Sequence, residues 1–255
     1  MPIGFFDSGV GGVTVLAEAL KQLPHEEYIY YADTQHVPYG PKPKDEIKGY
    51  IFSAVDYLAG CGIDALLVAC YTATSVAVNE LRQRYAFPVI GMEPAVKPAV
   101  KSTGGGKRVL ALATELTLKE AKFRDLVSAV DPEHIIDSLP MPELVELAEN
   151  LTFDDAVVIP CLQKKFAVLD LVSYGTVVLG CTHFTFFRDS LRKVLAPGTN
   201  IIDGAEGTLR QLRHKLEATG WQAGKSTGKI TFCSSAGEQD AERLKKAFRI
   251  AQERM

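Results

Sequence analysis

Short apolar runs, each ending in small or turn-forming residues and each followed by a stretch with helical periodicity, recur along this 255-residue chain. A parallel sheet needs such a crossover helix between its strands, so the rhythm predicts an α/β fold with largely parallel sheets. Strands are expected at Ile3–Phe6, Tyr28–Tyr31, Ala65–Ala69, Val89–Gly91, Arg108–Leu112, His134–Ile136, Thr176–Leu179, Asn200–Ile202 and around Lys229–Cys233. Helices are expected at Gly12–Gln22, Lys44–Gly60, Ala73–Tyr85, Thr117–Ala129, Met141–Glu149, Phe153–Val172, Phe184–Leu195, Gly207–Ala218 and Gln239–Glu253.

The rhythm is interrupted at residues 101–107 and at residues 220–228, both rich in glycine and small or charged residues. After the first break RVLALATELT starts a fresh strand, much as IGFFDSGVGG opens the chain, so a second half is expected to begin near Arg108. An internal echo supports that division. LLVACYTAT (66–74) and VVLGCTHFT (177–185) each run from an apolar strand through a small residue to a cysteine, with threonine four residues later. The echo pairs Cys70 with Cys181. Residues just past the carboxyl ends of strands line the ligand crevice of open α/β sheets, so two facing halves would bring both thiols to one cleft. Chance likeness between two apolar strands is the bland alternative.

Composition narrows the function. With 28 basic and 31 acidic side chains the formal charge is −3, which argues against a dedicated nucleic-acid binder. At 47% hydrophobic and 23% charged residues the chain can build a sizeable core. No run reaches the roughly 18 apolar residues of a membrane span, and MPIGFFDSGVGG carries no basic leader, so a soluble cytoplasmic protein is expected. Five cysteines without a CxxC pair suggest reduced thiols rather than a disulfide framework or zinc ribbon.

A buried cysteine is most often an inert small hydrophobe, and that reading fits Cys61 and Cys161. Cys70 and Cys181 differ in position: each sits where a strand meets a loop and helix, where amide groups and the helix dipole favour thiolate. His183, two residues beyond Cys181, could orient or exchange a proton. Cys-x-His could also supply two metal ligands, but no companion motif completes such a site. His25, His134 and His214 read as solvated surface. In FDSGVGG, Asp7 and Ser8 follow an apolar strand, and Gly9, Gly11 and Gly12 allow close backbone approach to a ligand. A capped helix start explains the polarity but not three glycines. This is neither GxGxxG nor a Walker A loop. VPYG (37–40) could be a turn, or could fold Tyr39 over a small polar ligand.

Taken together, FDSGVGG (6–12), YADTQHVPYG (31–40), VACYTAT (68–74), ATELT (113–117) and GCTHF (180–184) resemble, in order and spacing, the glutamate racemases of the aspartate/glutamate racemase superfamily. The resemblance covers nearly the whole chain. It implies two similar α/β domains facing a central active-site cleft, with boundaries expected at 1–97 plus 207–255 for the first and 98–206 for the second. It implies cofactor-independent interconversion of L- and D-glutamate in a cytoplasmic homodimer, supplying D-glutamate to peptidoglycan, with no cofactor, no metal and no nucleic-acid or membrane partner. The catalytic thiols fall on Cys70 and Cys181, assisted by Asp7 and His183, with an auxiliary acid at Glu149. Substrate contacts fall on Asp7, Ser8, Pro38, Tyr39, Gly40, Tyr71, Thr72, Thr117, Thr182 and His183. Racemisation removes a weakly acidic α-proton from one face of a carbon and returns one to the other, which is why two opposed acid–base groups are wanted.

The chain departs from that family's pattern at several places. Tyr71 stands where asparagine is usual, Thr185 where proline follows the GCTH-aromatic block, Asp203-Gly204-Ala205 in place of Asp-Ser-Gly, and Glu146-Leu147-Ala148 in place of Pro-Leu-Val. These changes leave open a racemase or isomerase of aspartate or another small carboxylate, and a non-catalytic amino-acid-binding protein.

Overall fold

Apolar runs of three to seven residues line up as two parallel sheets in the structure, a computed structural model that describes residues 2–221 and 228–254. In the first sheet β1 (Ile3–Asp7) is flanked by β2 (Tyr28–Ala32) and β3 (Ala65–Val68), with β4 (Val89–Gly91) and the late strand β9 (Ile230–Ser234) at the edges, giving the order β4-β3-β1-β2-β9. In the second, β5 (Arg108–Ala113), β6 (Ile136–Pro140), β7 (Tyr174–Gly180) and β8 (Asn200–Asp203) run in the order β6-β5-β7-β8. Every pairing is parallel.

The crossovers are helical. In the first lobe α1 (Val13–Gln22), α2 (Lys44–Gly60) and α3 (Tyr71–Arg84) join the strands, and α4 (Val96–Ser102) leads into the second. There α5 (Glu115–Lys119), α6 (Ala121–Val130), α7 (Pro142–Glu149), α8 (Asp155–Phe166) and α9 (Arg188–Val194) cover the sheet. The chain returns through α10 (Ala205–Ala218), and α11 (Ala241–Arg254) follows β9. Leu244, Ala247, Phe248 and Ala251 form a buried stripe at helical spacing along α11, which packs against α1. Large side chains without solvent contact, among them Phe5, Phe6, Tyr28, Tyr30, Phe184 and Phe187, fill the core, each contributing roughly 1.5–3 kcal/mol by burial. Among the described residues no helix is long and apolar enough to cross a membrane.

The expected α/β architecture with two parallel sheets is present; the differences lie at element ends. The strand expected at His134–Ile136 runs instead from Ile136, because Asp131 accepts the main-chain N–H groups of Ile135 and Ile136 and His134 turns with φ of 54°. It extends over Asp137 and Ser138 because it is an edge strand, where polar residues face outward and Asp137 pairs with Arg108. The single helix expected at Thr117–Ala129 is two, since Thr114 caps α5 through the Thr117 N–H and Glu120 is extended. The halves serve different neighbours: α5 packs on α3, α6 on α4. Residues 182–187 wind as a 3-10 turn, buried on every side, so helical amphipathicity applies only from Arg188 onward. Cys61 is exposed at the end of α2 rather than packed. Most of the break expected at 220–228 lies outside the described residues.

Each sheet has one place where successive connections leave in opposite directions, between β1 and β3 in the first and between β5 and β7 in the second. A crevice opens at the carboxyl ends of strands at such a point. Asp7 and Cys70 lie at the first, Thr114 and Cys181 at the second.

Candidate active site

Cys70 and Cys181, 6% and 7% exposed, both line one cavity of about 290 Å³ at the meeting of the two lobes. Ser8, Pro38, Tyr39, Gly40, Tyr71, Thr72, Thr182 and His183 line it with them. A wider hollow of about 780 Å³, lined by Arg188, Arg192 and Arg210 among others, contains neither thiol.

Cys70 caps α3: its sulfur accepts the Ala73 N–H at 3.4 Å and its thiol donates to Ser8 Oγ at 3.6 Å. Burial, reinforced by the negative charge of Asp7, pushes the thiol up to about 12, against the smaller opposing pull of the Ala73 and Ser8 hydrogen bonds. Such a thiol holds its proton at neutral pH. The Cys181 sulfur lies 3.5 Å from His183 Nδ1, and the other ring nitrogen, Nε2, is 2.6 Å from Glu149 Oε1. Burial disfavours charge on His183, yet the Cys181 sulfur and the Glu149 carboxylate on either side hold its pKa well above the usual imidazole value. Glu149 stays below the usual carboxylate value despite burial, held down by His183, the Val10 N–H and the Arg243 guanidinium. The two thiols thus stand in unlike surroundings: a hydroxyl touches one, and an imidazole backed by a carboxylate touches the other.

Asp7 lies beneath the cavity with no solvent contact, accepting the Gly9 N–H at 3.0 Å and the Thr182 hydroxyl at 3.1 Å. Burial pushes its carboxyl up to about 6, moderated by His183 and the Gly9 N–H. The glycines of FDSGVGG are explained by close approach. A Cβ on Gly9 would fall 1.8 Å from Glu149 Oε1, and one on Gly11 would fall 2.3 Å from Thr182 Oγ1. The loop is bare so that Glu149 and Thr182 of the second lobe can reach it.

The remaining residues form two supporting clusters. The hydroxyls of Thr72, Thr114 and Thr117 bond one another at 2.9–3.1 Å, tying α3 of the first lobe to α5 of the second. Thr114 lines the cavity, whereas Thr117 is fully buried behind it. The helix-cap pattern of a threonine directly before ELTLK could have found Thr114 in the sequence. Tyr39 is fixed by its hydroxyl, which donates to Asp33 Oδ2 at 2.6 Å. Pro142, Val145 and Glu146 of α7 also line the cavity; of these the sequence marks only Glu146, as a departure from the family's pattern.

Tyr71 is buried beside Cys70, and its hydroxyl oxygen accepts the Gly204 N–H at 2.9 Å. A Cβ at Gly204 would sit 2.4 Å from the Glu93 carbonyl oxygen and 3.0 Å from that hydroxyl. Two departures from the family's pattern, at 71 and at 204, are thus one packed contact. Among the described residues no group of three or more His, Cys, Asp or Glu side chains is placed to hold a metal ion.

Residues 8–212 match the Asp/Glu/hydantoin racemase family. The chain is 54% identical over 254 residues to a glutamate racemase of Halothermothrix orenii, covering 99% of this chain and 100% of the relative. It is 49% identical to glutamate racemase 2 of Bacillus subtilis, covering 99% of this chain and 97% of that one. Among solved structures it is similar to the Escherichia coli glutamate racemase in complex with L-glutamate and the activator UDP-MurNAc-ala. There the TM-score is 0.86 at 32% identity, over 98% of this chain and 94% of that one. Two parallel α/β sheets, paired thiols in one cleft and near full-length likeness converge: the chain belongs to the Asp/Glu/hydantoin racemase family.

Proposed function

We propose that the protein interconverts L- and D-glutamate without a cofactor, using Cys70 and Cys181 as the acid–base pair on opposite faces of the α-carbon. One observation carries this reading: two buried thiols from equivalent strand ends of the two lobes line one small cavity. The close likeness to proteins named glutamate racemase supports glutamate as substrate.

In one direction Cys181, as thiolate beside the cationic His183, takes the α-proton while the Cys70 thiol donates to the opposite face. The Cys70 thiolate and Cys181 thiol left behind are the starting state for the reverse reaction, so protons balance over a cycle. A charge in so dry a site needs compensation. The substrate ammonium supplies it for Cys70, whose thiol is too weakly acidic in the ligand-free protein to act as a base. Asp7 assists Cys70, and His183 and Glu149 assist Cys181. Ser8, Pro38, Tyr39, Gly40, Tyr71, Thr72 and Thr182 contact the substrate, with Thr117 holding Thr114 and Thr72 in place. Amide groups at the start of α3 and the threonine hydroxyls stabilise the anionic intermediate.

The units are 1–97 with 207–255 and 98–206: α10 packs on α1, β3 and β4, whereas α4 packs on β5, β7 and α6. The cellular role is supply of D-glutamate for peptidoglycan by a cytoplasmic homodimer, as the family resemblance implies. Chiral analysis after incubation with L-glutamate, D-glutamate and L-aspartate separately tests the substrate. Both glutamate enantiomers are expected to approach an equal mixture; turnover of aspartate in preference, or binding without turnover, would overturn the reading.

A further inference from the structure

The carboxylate behind His183 is itself held from outside the cavity. Arg243, on α11, uses Nη1 to donate to both the main-chain oxygen of Glu149 at 2.7 Å and its Oε2 at 3.0 Å. Its Nε donates to Asp240 Oδ1 at 2.7 Å, and Asp240 Oδ2 accepts the Ser234 hydroxyl of β9 at 2.8 Å. The guanidinium is therefore fixed on one side by its own lobe and grips Glu149, at the end of α7, on the other. With Oε2 taken by Arg243, Oε1 is left facing the Val10 N–H at 2.9 Å and His183 Nε2 at 2.6 Å. The terminal torsion of a glutamate is broad, so nothing within Glu149 itself would select that orientation. Around Cys70 the contacts are Ser8 and the Ala73 N–H, and neither touches Arg243.

We propose that Arg243 is a positioning residue for proton transfer at Cys181: its two-point grip on Glu149 aims the carboxylate that holds His183 against the sulfur, and it plays no part in transfer at Cys70. This rests on the glutamate racemase reading. An arginine suits the task because its planar fork meets Asp240 and Glu149 at once, which the single ammonium of a lysine does not reproduce.

The test must respect a symmetry. Enantiomers have equal free energy in water, so kcat/KM for L- and D-glutamate must remain equal in every variant, and a one-sided lesion cannot appear in their ratio. It appears in the isotope effects measured with α-deuterated L-glutamate and α-deuterated D-glutamate. Raising the barrier at Cys181 alone makes that step dominate. The isotope effect then rises for the enantiomer whose proton Cys181 removes and falls toward unity for the other.

Arg243→Gln is expected to lower kcat/KM about tenfold for both enantiomers, the scale of a modest misplacement of a catalytic group, while moving the two isotope effects apart in this way. Arg243→Lys, which keeps the charge and loses the fork, is expected to show the same divergence in smaller measure, and serves if the glutamine variant does not fold. Both isotope effects unchanged in a folded variant of an active parent, or shifted together, would overturn the proposal. A parent protein that leaves glutamate unchanged would overturn the underlying reading instead.

Discussion

Asp7 is the residue at which the proposed function and stability oppose each other. Its carboxyl is raised from 3.8 to about 6 in the folded protein, so the native state binds the proton more tightly than the unfolded chain does. Its contribution to stability is therefore fully present below about pH 4, declines as pH rises, and is lost above about pH 6. Holding the carboxylate at higher pH then costs on the order of 3 kcal/mol. Asp7→Asn keeps an oxygen for the Gly9 N–H and removes the buried charge. The variant is expected to melt several degrees higher than the parent at pH 8, to lose that advantage near pH 4, and to racemise glutamate poorly. Thermal melts across that range check the sign; a lower Tm at pH 8 would contradict it. Asp7 and Cys70 were legible as candidates because each stands at a strand end, and His183 because it lies two residues beyond Cys181. Glu149 was visible only through a loose likeness, since its importance comes from facing a loop 139 positions away.

At the scale of elements, the strands and most helices follow from apolar runs and periodicity, whereas the segments nearest the cavity do not. Residues 182–187 are buried throughout, which erases the amphipathic signal. The chain between β5 and β6 is broken so that α5 can meet α3 across the lobes. Tyr71 shows the same limit. The sequence shows it only as a departure from the family's asparagine, whereas in the fold its hydroxyl secures the turn between β8 and α10, where the chain crosses back to the first lobe. Tyr71→Phe would leave the Gly204 N–H buried without its partner, at a cost of about 1–3 kcal/mol. A fall in unfolding free energy of that size by denaturant titration is expected. A variant as stable as the parent would mean that the contact does not anchor the crossing.

At the scale of the molecule, two similar α/β lobes place one thiol each at the opening of their own sheet, and the contacts between lobes make the pair into a site. Glu149 against Val10, Thr182 against Asp7, and the threonine cluster joining α3 to α5 all cross the joint. The internal echo between residues 66–74 and 177–185 disclosed the two lobes and their matched cysteines. It could not disclose their unlike surroundings, which depend on which groups the opposite lobe delivers. The proposed mechanism assigns each thiol one face of the substrate. The most direct measurement is NMR of L-glutamate with the protein in D2O, followed at early conversion and repeated from D-glutamate. With two bases, the product enantiomer is expected to carry deuterium at Cα from the first turnovers while the remaining substrate keeps its proton, in both directions. Product that retains the original proton, or deuterium entering the substrate enantiomer as fast as product forms, would contradict a thiol on each face.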